Sequence, residues 1–311
     1  MLKYIHEQRC RVPILLFHRV SDDPDPYWPP LTVQTFKRVI FFFQKQYEFR
    51  SIADLLKTDH KKLKRSCFIV FDDAYKDFQE NVLPFLEQLK IPVTMFIPVK
   101  SVDSGKPIWT TWLNMCIQNS KQSILNINNG VNIIDYDISN SKGKIDTANK
   151  LTKWLKSLPY DQFNYHLEKI TKQIGEDFSR KDIRVMTWSD ITETSNYVDY
   201  QSHTMTHPML GNIQENNSLS YEIGDSRMAI QQRCGIVTKY ISYPIGSYSP
   251  AVIEKSKKYY EAGFAVDGRL VVLKKINDPV YRYRIPRFNV SDADPYELFF
   301  RVNGFHKIFR R

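Results

Sequence analysis

Cys67-Phe68-Ile69-Val70-Phe71-Asp72-Asp73 is an apolar run that ends in two adjacent carboxylates. Five successive apolar residues leave no polar face, so the run reads as a buried strand. Carboxylates at the end of such a strand are costly unless something neutralises them, and a metal ion does that well. Far downstream, Ser202-His203-Thr204-Met205-Thr206-His207-Pro208 offers two imidazoles four residues apart. One Asp with two His is a common way to hold a catalytic zinc and keep a coordination position open. The other Asp of the pair is then free to act as a base.

Six more apolar runs end in polar or turn-forming residues. Residues 12–17 run into His18-Arg19, and 93–97 end at Pro98. Residues 197–201 run into Ser202-His203, and 239–243 into Pro244-Ile245-Gly246. Residues 263–266 end at Asp267, and 283–285 run into Pro286-Arg287. Helical patterns lie between them at 35–47 (after the cap-like Thr32), 77–89, 217–234 and 250–260. In the second of these, Phe78, Val82, Phe85, Leu86 and Leu89 share one face. Strands alternating with helices imply βαβ units. The chemistry-bearing residues all fall at carboxyl ends of strands, where a (β/α) barrel builds its active site. Seven strands rather than eight predict an α/β fold of the distorted, incomplete (β/α)7 barrel kind. Residues 101–182 break the pattern. Within them, 119–149 are rich in Asn, Ser, Lys and Ile and hold no obvious catalytic group, while helical periodicity returns over 150–174. This stretch is expected to be an insertion packed on the barrel of a single domain spanning 1–311, and a tolerated surface insertion is its simplest explanation.

With 311 residues, 42% hydrophobic and 14% aromatic, the chain can bury a large core, and disorder does not describe it. The formal charge of +10, from 44 basic and 34 acidic residues, suits an anionic partner or simply a basic surface. No zinc finger, RNA-recognition signature or long basic tract points to nucleic acid. Cys10, Cys67, Cys116 and Cys234 are scattered, form no CxxC pair, and fit a reducing compartment. The first ten residues lack the apolar core of a signal peptide, and no run is long enough to span a bilayer. The expected location is the cytoplasm. The tail over 296–311 spaces Leu298, Phe299, Phe300, Val302, Phe305, Ile308 and Phe309 near helical intervals, with Arg and Lys between them. It could rest on the anionic inner face of a membrane or pack as a last helix on the barrel.

Each candidate residue has a plainer alternative. Asp73 could cap the helix that follows. His203 and His207 fit one helical face or a loop, and Pro208 favours the loop by disfavouring α geometry at His207. His18 ends a run too apolar for an exposed edge, so it is either a satisfied core histidine or a general acid. Arg287 could lower a carboxylate's pKa and fix its orientation, or lie on the surface beside the last strand. Tyr243, Pro244 and Gly246 shape a turn whose backbone N–H could donate to an oxyanion, or only a turn.

Together these segments resemble the polysaccharide deacetylase (NodB-homology) family, also called carbohydrate esterase family four, over most of the chain outside 101–182. Phe71-Asp72-Asp73-Ala74 is similar to that family's first motif, in which the leading Asp is the base and the second binds metal. His203-Thr204-Met205-Thr206-His207-Pro208 is similar to the second motif, with its two metal-binding histidines. Ile241-Ser242-Tyr243-Pro244-Ile245-Gly246 looks like the third, in its Tyr-Pro-x-Gly form. Three departures stand out. Ala74 replaces the usual Gly, Ile241 and Ser242 stand where an Arg is often found, and the late Leu-x-His motif has no clear counterpart, since His306 lies in the tail. Some branches have circularly permuted motifs and carry the general-acid His early, in a form similar to Phe17-His18-Arg19. Arg287 would then take the orienting role of the missing Arg.

The resemblance implies a metal-dependent hydrolase that removes the N-acetyl group from a sugar. Asp73, His203 and His207 would hold a divalent ion, most simply Zn²⁺, with Co²⁺, Ni²⁺ or Mn²⁺ as alternatives. Asp72 would be the base and His18 the acid. The substrate would be an N-acetylated sugar in a polymer or on a lipid or nucleotide carrier, and the lack of an export signal favours a carrier-linked precursor of a surface glycan. The altered third motif leaves a rival, a non-catalytic glycan-binding protein on the same fold, and the same site could also hydrolyse another amide or an ester.

Overall fold

The computed structural model describes residues 10–57, 59–175, 183–290 and 294–302. Seven parallel strands form its centre: β1 (Ile14–Phe17), β2 (Ser66–Asp72), β3 (Val93–Ile97), β4 (Val198–Ser202), β5 (Tyr240–Ser242), β6 (Ala262–Val266) and β7 (Ile285–Asn289). The ladder runs β1-β7-β6-β5-β4-β3-β2, and β2 pairs back onto β1 from Ile14↔Phe68 to Phe17↔Phe71, so the barrel closes. The expected (β/α)7 barrel is therefore present. Its distortion is concentrated at one seam, where β4 and β5 meet through the single pair Ser202↔Ile241.

Strand alternation decides what faces the barrel axis. Ile14 and Leu16, Phe68 and Val70, Tyr240, Phe264 and Ile285 pack together in one core. Leu15 and Phe17, Ile69 and Phe71, and Phe288 pack outward in another, against Phe36, Val39, Ile40 and Phe43 of helix α1 (Val33–Gln44). That helix begins where expected, because the Thr32 hydroxyl accepts from the Thr35 N–H. Continuing the inward parity along each strand reaches His18, Asp72, Ser242 and Arg287 at the carboxyl end. The sequence pattern thus collects these four residues before any of them touches another.

The last strand corrects the sequence reading. Residues 281–283 form a short 3-10 turn, and the strand begins at Ile285 and runs through Pro286 to Asn289. Pro286 lies inside the ladder opposite Ala265, where proline usually marks a strand's edge or start. Arg287 is consequently a strand residue, fully buried, rather than a residue beyond the strand's end.

Between β3 and β4 lie helix α2 (Trp109–Asn119), a hairpin of Ile124–Asn128 with Ile133–Asp137, and helices α3 (Ser141–Ser157) and α4 (Tyr160–Ile174). They share an apolar core of their own, including Leu113, Ile117, Leu151, Leu155 and Phe163, which Tyr27 and Met209 join from the barrel side. At the other end of the chain, helix α5 (Pro295–Val302) buries Leu298 and Val302 in the core around α1. This part of the supposed membrane tail packs on the barrel, while 303–311 fall outside the described residues. None of the described helices is long and apolar enough to cross a membrane.

Candidate active site

Asp72 is the last residue of β2 and Asp73 begins the turn after it. Asp73 has φ +76° and Ala74 φ +53°, so the chain turns sharply and both carboxyl groups reach the same cavity. The helix-cap alternative for Asp73 does not hold, because the following helix begins at Lys76 directly after Tyr75, which leaves Asp73 outside the cap position. Positive φ costs a residue with a side chain roughly 1–3 kcal/mol when the conformation is a rare one. Among the described non-glycine residues it occurs at Asp73, Ala74, Lys90, Thr204, His207 and Ile245, and all but Lys90 lie in these turns. The glycine usual at Ala74 would relieve one of these strains.

The two carboxylates have opposite environments. Arg287 grips Asp72 with both arms, Nη1 to Oδ1 at 2.8 Å and Nη2 to Oδ2 at 3.0 Å. Arg287 Nε also donates to the Ala265 carbonyl, and Nη2 to the Ser242 hydroxyl at 2.6 Å. Burial opposes ionisation of Asp72, but the Arg287 guanidinium and the neighbouring His203 and His18 outweigh it and hold the carboxyl well below the usual range. Asp73 has no such partner. Burial, and then the charge of Asp72, push its carboxyl well up. Its Oδ1 makes no hydrogen bond and lies 3.5 Å from Nε2 of both His203 and His207.

Pro208 favours a loop, and a loop is what holds the histidines. His203 leaves β4 directly, and its Nδ1 bonds the Ser242 carbonyl at 2.8 Å across the sparse β4–β5 seam. That bond fixes the tautomer with the proton on Nδ1 and leaves Nε2 a free electron pair. His207 reaches back through a turn in which its N–H donates to the Thr204 hydroxyl. Burial lowers the pKa of both imidazoles, so both are neutral and able to ligate.

These residues fit a divalent metal. One carboxylate oxygen and two imidazole nitrogens lie within 4.8 Å of one another, all buried. Tetrahedral bonds of about 2.0–2.1 Å separate neighbouring ligand atoms by roughly 3.3 Å, close to the 3.5 Å seen between Asp73 Oδ1 and each Nε2. A buried, unpartnered carboxylate oxygen between two neutral imidazoles is an arrangement that a cation satisfies and water satisfies less well.

His18 follows β1 and lines the same cavity, its ring edge-on to Trp28 at 5.3 Å. Burial lowers its pKa to about 4, with Asp72 opposing and Arg287 and His203 adding to the effect. The turn after β5 departs from expectation. The N–H of Tyr243 donates to Phe264 and that of Gly246 to Tyr243, and Pro244 has none, so these three residues have no amide to spare for an oxyanion. They shape the turn instead, and its Ile245 is the residue that lines the cavity. Gly246 is required there, since its φ is +72° and a Cβ would meet the Val266 carbonyl oxygen at 2.9 Å.

Sequence reasoning passed over the residues that hold the histidine loop. Glu222 is fully buried and accepts from the N–H groups of Met205 and Thr206, the Thr206 hydroxyl and the Tyr160 hydroxyl. Trp109 Nε1 donates to the His207 carbonyl at 3.1 Å. Tyr160 and Trp109 belong to the stretch between β3 and β4, so that stretch braces the site and is not a mere surface addition. Glu222 had one visible signal, a carboxylate between Leu219 and Ile223 on an apolar helical stripe. Glu222→Ala is expected to cost about 1–3 kcal/mol by leaving the Thr206 N–H and the Thr206 and Tyr160 hydroxyls without their acceptor, and to weaken divalent-ion affinity about 10–100-fold. Chemical denaturation and metal titration of the same variant read both effects, and unchanged ion affinity would show that the loop is held without Glu222.

The profile of the family described as polysaccharide deacetylase matches residues 59–262. A search of curated protein sequences finds no match. Among solved structures, the chain is similar to the Streptococcus pyogenes deacetylase PplD, at 14% identity and TM-score 0.60, over 93% of this chain and 96% of that one. IcaB from Ammonifex degensii matches at 15% identity and TM-score 0.58, over 93% and 95%. BC0361, a polysaccharide deacetylase from Bacillus cereus, matches at 17% and 0.59, over 93% and 67%. At these identities the solved structures bear on the fold alone, and it is the family profile, spanning most of the chain, that assigns the sequence. The chain belongs to the polysaccharide deacetylase family, and is a hydrolase of the carbohydrate N-deacetylase type.

Proposed function

We propose that Asp73, His203 and His207 hold a divalent ion, that Asp72 is the general base and that His18 is the proton donor in removal of an N-acetyl group from a sugar. The unequal treatment of the two neighbouring carboxylates carries this reading. Arg287 neutralises Asp72, whereas Asp73 faces only two imidazole nitrogens. Zn²⁺ is the simplest ion for a donor set of two nitrogens and one oxygen, and Co²⁺, Ni²⁺ and Mn²⁺ accept the same set. Bound there, the ion supplies Lewis acidity to the acetamide carbonyl and to water.

The chain's own residues do the rest. Arg287 and the Ser242 hydroxyl fix the plane of Asp72, whose carboxylate stays ionised and ready to take a proton from water. His18 lines the same cavity and, once protonated, gives that proton readily to the departing nitrogen because burial lowers its pKa to about 4, and the free amine and acetate are the products. Tyr27 and Trp28 offer aromatic faces to the sugar within a cavity of about 420 Å³. That volume suits one or two sugar units at a time. The Streptococcus pyogenes neighbour was solved with acetate, the product this reaction releases.

The test is mass spectrometry for loss of one acetyl group, after incubation with polymeric, lipid-linked and nucleotide-linked N-acetylated sugars. Loss from at least one class, abolished by a chelator and restored by Zn²⁺, is the expected result. Acetate release that a chelator leaves intact would remove the ion from the reaction.

A further inference from the structure

Three residues of α3 that line the active cavity, Asn149, Thr152 and Lys156, recur at helical spacing and so share one face. Thr152 is tied to the barrel side through the Tyr27 hydroxyl at 3.2 Å. The end of α3 is pinned as well, because Asn212 Nδ2 donates to the carbonyls of Lys156 and Leu158. Lys156 is therefore held beside the histidine loop, and its charge reaches His207.

The charges that line this cavity are otherwise accounted for. Asp25 pairs with Arg19 at 3.1 Å, Asp72 pairs with Arg287, and Asp73 faces the two imidazoles. The ammonium of Lys156 has no hydrogen-bond or ion-pair partner among the described residues. Lys156 is half-buried in the cavity wall, and this partial burial lowers its pKa. A flexible ammonium in a cavity wall, beside a metal-binding set, suits an oxyanion supplied by the ligand.

Building on the deacetylase reading, we propose that Lys156 forms an anion subsite of the sugar cavity, so that the preferred substrate carries a phosphate or carboxylate close to its N-acetylated unit. A charge-assisted hydrogen bond of this kind is worth roughly 10–100-fold in recognition. The subsite also gives the stretch between β3 and β4 a second role, in choosing the substrate as well as bracing the loop.

The probes are N-acetylglucosamine 1-phosphate, a disaccharide of glucuronate and N-acetylglucosamine, and the neutral methyl glycoside of N-acetylglucosamine. The quantity read is the ratio of anionic to neutral probe, as kcat/KM for acetate release by the zinc-loaded full chain and as Kd by calorimetry on the metal-free full chain. The expected ratio is about tenfold or more, falling to about twofold or less in Lys156→Gln and recovering in Lys156→Arg. Which anionic probe shows the larger ratio identifies phosphate or carboxylate as the source. Equal binding of anionic and neutral probes, or a preference that survives Lys156→Gln, overturns the subsite. A protein that releases no acetate from any probe fails the deacetylase reading instead, and the calorimetric ratio still decides the subsite.

Discussion

Arg287→Met is expected to lower stability by about 3–5 kcal/mol and deacetylation by about a hundredfold or more. The size follows from what is left behind. Arg287 is 0% exposed and is the counterion of Asp72, so its removal strands a carboxylate in the barrel interior. It also frees the base to rotate away from the direction fixed by two parallel hydrogen bonds and the Ser242 hydroxyl. Arg287→Lys keeps a charge but not the fork, and should fall between wild type and Arg287→Met in both measures. The double variant Arg287→Met with Asp72→Asn distinguishes orphaned charge from lost packing. Its stability should return most of the way, because removing both partners of a buried pair costs little, while its activity stays lost. Denaturant melts and acetate assays on these three variants and the wild type check this. If the double variant is as unstable as Arg287→Met, the cost lies in lost packing, including the stacking of the guanidinium 5.3 Å from Phe96, and not in the stranded charge.

This arrangement also shows what could be read from the sequence and what could not. β2 was legible because continuous burial leaves a continuous apolar run, and its terminal carboxylates were conspicuous for the same reason. The histidines were legible because Pro208 and a preceding strand-like segment set them on a loop. Arg287 was harder. Its strand is written Ile285-Pro286-Arg287-Phe288-Asn289, with a proline and an arginine where burial usually demands aliphatic residues. Both look like the end of a strand until Asp72, 215 residues earlier in the chain, is known to sit opposite. The absence of Arg near Ser242 looked like a defect of the third motif. In the structure Ser242 leaves room for an arginine arriving from the neighbouring side of the barrel, and its hydroxyl joins the same network. Local pattern reveals periodicity, but a buried charge becomes intelligible only with its partner. The bracing by Glu222, Tyr160 and Trp109 escaped for the same reason, since each bond joins segments far apart in sequence.

Asp73→Ala and His207→Ala are each expected to abolish stoichiometric divalent-ion binding, whereas Asp72→Asn keeps the ion and loses turnover by about 10²–10⁴-fold. The division rests on where each carboxylate points its free oxygen. Asp73 Oδ1 is equidistant, at 3.5 Å, from two imidazole nitrogens and bonds nothing else, so its loss removes one of three donors. Two neutral imidazoles alone hold a divalent ion too weakly for stoichiometric occupancy at micromolar concentration. Asp72 Oδ2 also lies 3.5 Å from His203 Nε2, close enough to compete as a ligand. Both of its oxygens, however, are already taken up by Arg287, which lowers their electron donation toward a cation. Asparagine at 72 keeps one acceptor for Arg287 but has no charge with which to take a proton. The ion should also stabilise the folded protein, by about 4 kcal/mol when its concentration is a thousand times Kd, and this increment should vanish in Asp73→Ala and His207→Ala while persisting in Asp72→Asn. Elemental analysis of dialysed protein, thermal melts with and without Zn²⁺, and acetate release together separate the roles. Full occupancy in Asp73→Ala would exchange the two aspartates' assignments, and near-normal deacetylation by Asp72→Asn would take the base role from Asp72. Agreement of all three measurements would mean that one strand end, by turning sharply at Asp73, sends two chemically identical side chains to different work.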